Sequence, residues 1–375
     1  MWKKIVKAVT SKIIPTLSKP LENQTSSSIQ PKFNINLSNI NNNISNDNIK
    51  NEAREKLREA VRELSGLGLG GDLYQNPQDI SNIPLSNLKK WNDMNINELE
   101  IDQLELLART YFEGINEGFN KNIDKAIDIW NIAAKKGSIE AQYSLAICIR
   151  DGVGKMEKDS NKAFNILISL AEQKNYHLAH YACGIMLDKG EGIEIDHVRS
   201  FKHFKEAGLR GVLPALHNMA NAYYSGKGVE KDIKKAAYYY KAGAEAGNPF
   251  SKHIFANWLY EGKILKMDRP RAFRMQLEAA QMGHPGATYN VGSHYMSGEG
   301  IEQDMIKASE WFLKAGELGL VEGKINAGNL YRQGLGVEKD LKKALEIFES
   351  CSTTNQICKE MVEEINKELK EDKSI

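Results

Sequence analysis

The sequence predicts an all-α fold, a right-handed α/α solenoid of helix-hairpin repeats that follows a partly disordered N-terminal extension. The first observation is a period of 36 residues that runs from about residue 105 to residue 350. Its markers are Asp196, Asp232, Asp268, Asp304 and Asp340, preceded by Asp159 and, one repeat earlier, by Asn122. The second observation is a small residue that opens each unit, at Ala141, Ala179, Ala215, Ser251, Ala287 and Gly323. Seven units fit between residues 105 and 352, and the first of them is degenerate.

Each unit has the pattern of two helices joined by a tight turn. In the unit that opens at Ala215, apolar residues recur at helical spacing as far as Tyr223, which predicts a first helix. Gly226 and Gly228 then permit positive φ in a turn, and Asp232 is placed to cap the second helix. In the second helices, small residues recur beside aromatic ones, so that helices can approach closely while rings fill the gaps.

These units resemble the Sel-1-like repeat, a relative of the tetratricopeptide repeat. The stretch ATYNVGSHYMSGEGIEQDMIKA at 287–308 reproduces almost all of the repeat's pattern. The fifth unit departs from it, because YEGKILKMDRPRA keeps Gly262 but has Ile264 in place of the second turn glycine, which predicts a bend or an irregular loop. The resemblance implies an all-α superhelix that scaffolds protein complexes, and it leaves the partner open.

Residues 1–21 predict a targeting segment. They contain five lysines and no acidic residue, and apolar residues recur at helical spacing opposite the lysines. This basic amphipathic segment is similar to a mitochondrial presequence, although presequences usually carry Arg rather than Lys. A membrane-surface or partner-binding helix and a basic tail without function are the alternatives. No apolar run reaches the roughly 18 residues of a membrane span.

The rest of the chain outside the repeats divides into four segments. Residues 22–47 are rich in Asn, Ser and Ile, and this low complexity predicts a disordered tether. Residues 48–65 carry an apolar stripe among Glu and Arg, which predicts an isolated helix. Residues 66–104 are a Gly-rich joint and lead-in, in which Trp91 and Leu99 are expected to contact the end of the solenoid. Residues 353–375 predict a C-terminal capping helix, which repeat arrays need.

Composition argues against several classes of protein. The net charge of +1 balances 50 basic against 49 acidic residues, which argues against a nucleic-acid partner. The spacing of Cys148, Cys183, Cys351 and Cys358 indicates neither a disulfide framework nor a zinc site, and Cys148 and Cys183 are expected to be small core residues. We interpret His177, His180, His197 and His203 as solvent-facing, because no further metal ligands recur around them. The sequence thus predicts no metal and no cofactor.

Candidate partner-binding residues form three columns on the first helices, which line the concave face of helix-hairpin solenoids. Two residues after the opening residue lie Tyr143, Tyr181, His217, His253 and Tyr289. Asn218, Asn290 and Asn326 lie three residues after it, and Asn221, Asn257 and Asn329 lie six residues after it. The Asn columns resemble positions with which tetratricopeptide repeats hold a peptide backbone, and Tyr and His supply flat contact area. The alternative is that the aromatic side chains pack between adjacent first helices and the Asn side chains bond neighbouring turns.

The sequence therefore predicts a non-enzymatic adaptor that holds a peptide or a partner helix in its groove. The basic N-terminal segment favours a mitochondrial location, with a role in stress signalling or complex assembly. A cytosolic adaptor that regulates a ubiquitin ligase or a membrane enzyme is the alternative. A weak hydrolase is a lesser alternative, because no set of nucleophile, base and orienting residue can be assembled from the sequence.

Overall fold

The computed structural model describes residues 84–114 and 118–371, and within them the chain forms α-helices without a β-strand. The predicted all-α fold is confirmed. The predicted targeting segment, tether and isolated helix at 48–65 lie outside the described residues, as do 66–83 of the lead-in and 372–375.

Sixteen α-helices follow one another in the described part of the chain. They are α1 Leu85–Asp93, α2 Ile101–Glu113, α3 Ile123–Lys135, α4 Ile139–Asp151, α5 Ser160–Lys174, α6 His177–Lys189, α7 His197–Leu209, α8 Leu213–Ser225, α9 Ile233–Glu245, α10 Pro249–Glu261, α11 Arg269–Gln281, α12 Pro285–Ser297, α13 Met305–Glu317, α14 Val321–Gln333, α15 Leu341–Ser352 and α16 Gln356–Glu371. A 3-10 helix, Ile96–Glu98, lies between α1 and α2. Helices α2 to α15 form seven hairpins, and each helix packs against its neighbours in sequence.

Every second helix begins with the predicted cap. The side chain of Asp232 accepts a hydrogen bond from the backbone N–H of Lys235 at 2.9 Å, and Asn122 accepts one from the N–H of Lys125 at 3.0 Å. The same bond is made by Asp159, Asp196, Asp268, Asp304 and Asp340. Because these side chains replace hydrogen bonds that a helix start lacks, the repeating aspartate fixes where each second helix begins.

The turns between paired helices are closed in a uniform way. The N–H of each capping residue donates to a carbonyl near the end of the first helix, at 2.7 to 3.0 Å, as from Asp304 to Tyr295. A Cβ added at Gly228, where φ is +70°, would collide with the carbonyl of His197, so the second turn glycine lets the turn approach the preceding repeat. In the fifth repeat Ile264 has no positive φ, yet Asp268 still donates to Leu259 at 2.9 Å. The irregularity of this loop is therefore local.

The core lies between paired helices, where small residues meet aromatic rings as predicted. A Cβ on Gly292 would lie 2.8 Å from the ring of Phe312, and one on Gly328 would lie 2.6 Å from the ring of Phe348. These glycines let each ring enter the space between its two helices. At the N-terminal end, Leu99 is buried and Trp91 packs against the first core cluster, as expected.

One cysteine prediction is wrong and one is confirmed. Cys351 in the last turn of α15 and Cys358 in the first turn of α16 form a disulfide, with their Cα atoms 5.8 Å apart. The two cysteines are seven residues apart, on either side of the turn that joins α15 to α16, and this turn brings them together. The prediction failed because it considered only C-x-x-C spacing. Cys148 and Cys183 are buried and unpaired, as expected. In the described ranges, each helix is too short or too polar to cross a lipid bilayer.

Candidate functional site

The candidate binding surface is the side of α4, α6, α8, α10, α12 and α14 that carries the residues two, three and six positions after each opener, here called the first-helix face. The residues two positions after each opener are half-buried. Most of their rings contact the second helix of the same repeat. Tyr181 lies 6.0 Å from Phe204, His217 lies 5.6 Å from Tyr240 and Tyr289 lies 5.3 Å from Phe312, measured between ring centroids. His253 instead hydrogen-bonds Gln276, and Tyr143 contacts Tyr176 at 5.4 Å.

The Asn residues three positions after the opener link adjacent repeats. Asn326 donates to the hydroxyl of Tyr289 at 3.0 Å, and Asn290 donates to the side-chain oxygen of Asn257 at 2.9 Å. Asn218 likewise hydrogen-bonds Tyr181 in the preceding repeat. The Asn side chains thus bond within the protein, as in the alternative, and their partners lie on the first helix of the preceding repeat. That they also bind a partner stays a prediction.

Both polar atoms of the Asn257 side chain have partners inside the protein. Its amide oxygen accepts from Gln276 at 2.6 Å and from Asn290 at 2.9 Å, while its NH2 group lies 3.3 Å from Nε2 of His253. Nδ1 of His253 in turn lies 3.0 Å from the side-chain oxygen of Gln276. These partners fix the tautomer of His253, with Nδ1 as donor and Nε2 as acceptor.

Two other residues six positions after the opener keep unused hydrogen-bonding groups. Asn221 is exposed and accepts from the hydroxyl of Tyr240, and its NH2 group donates to no other described residue. Asn329 is half-buried and makes no side-chain hydrogen bond within residues 84–114 and 118–371. These two amides can therefore serve a ligand without breaking an internal bond.

Two exposed rings on this face were missed in the sequence. Phe250 exposes 54% of its surface and Tyr224 exposes 44%. The ring of Phe250 lies between His217, 5.9 Å away, and His284, 4.8 Å away. The signal that could have found Phe250 is its place directly before the opening residue Ser251, where other repeats carry Glu140, Leu178, Pro214, Gly286 and Glu322.

Burial keeps the imidazoles around Phe250 uncharged. It lowers the pKa of His217 to about 4 and the pKa of His284 to about 4, and nearby His253 adds to both effects. Burial also lowers the pKa of His253 itself. His253 and His284 stack with centroids 4.5 Å apart. At neutral pH this part of the face thus consists of aromatic and amide groups without charge.

The interpretation of four histidines as solvent-facing is wrong for His180 and His203. Each exposes only 7% of its surface, and their Nδ1 atoms lie 3.0 Å apart between α6 and α7. Their positions along α6 and α7 direct the two side chains toward each other. Position in the helix pair therefore decides their burial, although histidine is often found at the surface. Nδ1 of His197 lies 2.9 Å from a carboxylate oxygen of Asp188. Across the described ranges, His, Cys, Asp and Glu side chains form no group of three that could hold a metal ion.

Comparison with protein families identifies the repeats. The model of the Sel1 repeat matches residues 104–138, 139–175, 177–212, 213–248, 285–320 and 321–350, which is more than half of the chain. The chain belongs to the Sel1 repeat family. The fifth hairpin of this Sel1 repeat protein, residues 249–284, lies between two matched segments and is itself unmatched. That hairpin carries Ile264, Phe250 and His253.

Solved structures support the same assignment. A protective antigen of uropathogenic Escherichia coli strains, described as displaying an SLR fold, is 25% identical with a TM-score of 0.56, and the match covers 72% of this chain and 56% of that one. This chain thus spans little more than half of that protein's length. A Sel1 repeat protein from Oxalobacter formigenes is 25% identical with a TM-score of 0.56, over 60% of this chain and 95% of that one. Among curated proteins, none matches the sequence. A repeat fold of this kind is one on which protein interaction scaffolds are built.

Proposed function

We propose that this Sel1 repeat protein is a non-enzymatic scaffold that binds a peptide segment or a helix of a partner protein on its first-helix face. The observation that carries the proposal is the chemistry of this face in the second to seventh repeats. The columns two and six residues after the opener contain Tyr, His, Ile, Asn and Ser and no Asp, Glu, Lys or Arg, although 26% of the chain is charged.

Two uncharged columns that run through six repeats suit a protein partner. Charged groups cost free energy when a partner removes them from water, whereas Tyr, His and Asn lose little on burial if their polar atoms find partners. Asn221 and Asn329 supply such polar atoms, and Phe250 and Tyr224 supply apolar area. Aromatic residues are enriched in the energetically important parts of protein interfaces.

The test places a charge on this face without disturbing the core. Asn329→Asp introduces a carboxylate at a position whose side chain bonds no described residue, and Gln281→Glu places one at an exposed site at the end of α11, a second helix. Proteins that copurify with the tagged full-length chain are quantified by mass spectrometry. We expect Asn329→Asp to lose a specific partner at least about fivefold and Gln281→Glu to keep it, because a buried unpaired charge is costly. Equal recovery by both variants would contradict the proposal.

We further propose that the scaffold acts in mitochondria, directed there by the basic segment 1–21. The support is the sequence alone, five lysines and no acidic residue beside an apolar stripe. The measurement is the location and gel mobility of a C-terminally tagged full-length chain beside one that lacks residues 1–21. Mitochondrial signal that the truncation abolishes is expected. Cytosolic signal for both chains would instead favour a cytosolic adaptor.

A further inference from the structure

We propose that the fourth to sixth repeats bind an extended, uncharged segment of a partner protein that places one apolar side chain against Phe250. This inference rests on the proposed function, and it specifies the chemistry of the partner and the position of its anchor. It is drawn from the exposure of Phe250, the unused hydrogen-bonding groups beside it and the charges around it.

Phe250 is suited to anchor an apolar side chain. Among the first helices α4 to α14, Phe250 and Tyr224 are the exposed large apolar residues, and Phe250 is the more exposed. Its ring contacts His217 of α8 and His284 of the turn before α12, so residues of both adjacent repeats help to hold it. A ring that is held in place presents apolar surface without a further loss of side-chain freedom on binding.

The partner segment is extended rather than helical because of what the face offers. The NH2 group of Asn221, one repeat before Phe250, is exposed and donates to no described residue, so it is available to donate to a partner. The main-chain carbonyls of an extended segment are free to accept, whereas those of a helix are used within the helix. Asn257 does not compete for the partner, because its oxygen and nitrogen are engaged by Gln276, Asn290 and His253.

The partner segment is uncharged because the columns two, three and six residues after the openers of α8, α10 and α12 contain no Asp, Glu, Lys or Arg. The imidazoles of His217, His253 and His284 are neutral at pH 7. Lys252 and Glu278 of the fifth repeat form an ion pair with each other. A charged side chain brought here would lose its hydration without gaining a partner, which is unfavourable.

The fifth repeat departs from the family pattern, as expected if its surface residues serve to recognise one partner. Its hairpin has helices of the same 13-residue length as its neighbours and the same closing hydrogen bond from Asp268 to Leu259. The changes that separate it from the other repeats therefore leave its packing intact. They include Phe250, on the surface where the partner would lie.

A phage library of random 12-residue peptides, selected on the full-length chain, tests this inference. We expect the enriched peptides to share an apolar residue within a stretch that lacks Asp, Glu, Lys and Arg. Affinity of a synthetic copy is then measured by calorimetry for the parent, Phe250→Ala, Phe250→Leu and Tyr238→Ala. Tyr238 is the matched control, because its ring exposes 42% of its surface on the second helix α9. Phe250→Ala should weaken binding about tenfold or more, Phe250→Leu less, and Tyr238→Ala less than about twofold.

Other outcomes separate this inference from the proposed function. If Asn221→Arg and Asn329→Arg weaken binding while Phe250→Ala does not, the anchor is elsewhere on the first-helix face and only this inference fails. Enrichment of charged peptides would overturn it in the same way. If no peptide is enriched, this inference fails, and the proposed function depends on the copurification test with Asn329→Asp. If peptides are enriched and none of the variants changes affinity, both proposals fail. Thermal unfolding of each variant shows whether lost affinity reflects lost folding.

Discussion

At the scale of single residues, the polar side chains of the first-helix face differ in what they are available to bind. Asn257 bonds three neighbours, whereas Asn329, in the same place two repeats later, bonds no described residue. The repeat period located both of them in the sequence. Their different roles depend on Gln276 and Asn290, which approach only after the helices pack, so spacing alone could not separate them.

Replacement of these two residues by Ala tests that difference. Asn257→Ala leaves Gln276, Asn290 and His253 without their partner, and we expect the free energy of unfolding to fall by about 2 kcal/mol. Asn329→Ala should change it by less than about 0.5 kcal/mol. Urea unfolding followed by circular dichroism measures both variants. A similar loss of stability in both would contradict the distinction between engaged and available amides.

A second residue-scale prediction concerns pH. Nδ1 of His284 accepts the N–H of Ala287 at 3.0 Å and caps α12, and burial lowers the pKa of His284 from 6.5 to about 4. Because the pKa is lower in the folded state, this contribution to stability is present above pH 6.5 and is lost as pH falls toward 4. Asn248 caps α10 at the equivalent place, so His284→Asn should keep the cap without titrating.

We therefore expect His284→Asn to match the parent at pH 7 and to be more stable at pH 5, by on the order of 1 kcal/mol. Melting temperatures at the two pH values provide the measurement, and Asn248→Ala, which removes a cap that does not titrate, serves as control. If the difference between parent and His284→Asn is the same at both pH values, protonation of His284 has no part in acid stability.

At the scale of helices and turns, the sequence predicted the structure best, because it located the start of each second helix. Each aspartate of the 36-residue period caps a second helix, because a cap depends on residues three positions apart and not on distant parts of the chain. The disulfide between Cys351 and Cys358 was missed, because it depends on how α16 turns back onto α15. Phe250 was missed as well, because it lies outside the repeat pattern and its contacts come from adjacent repeats.

The turn glycines provide a prediction at this scale. A Cβ at Gly228 would collide with backbone atoms of His197 and Val198, whereas a Cβ at Gly247 meets no atom within 4 Å, and both residues have positive φ. Gly247→Ala should cost about 1 kcal/mol from backbone strain alone. Gly228→Ala should cost at least about 2 kcal/mol more, because the turn must also move away from the preceding repeat. Equal losses in chemical denaturation would show that the turn does not need this close approach.

At the scale of the whole molecule, the 36-residue period was sufficient to predict a helix-hairpin solenoid, since each repeat contacts mainly its neighbours. Hydrogen bonds along the first-helix face, donated by Asn326 to Tyr289 and by Asn290 to Asn257, join successive repeats. The fifth repeat departs from the family pattern and still packs like the others. The surface residues of one repeat can thus differ from the family pattern while its two helices keep their length and packing.

The measurement that most directly tests the proposed scaffold is site-specific photo-crosslinking of the full-length chain in its own cells. A benzophenone amino acid replaces Asn329 on the first-helix face in one variant and the exposed Glu310 on the second helix α13 in another. We expect position 329 to form a covalent adduct with a defined protein that also binds the purified chain, and position 310 to form none with that protein. Adducts with that protein at position 310 alone, or equally at both positions, would contradict binding on the first-helix face.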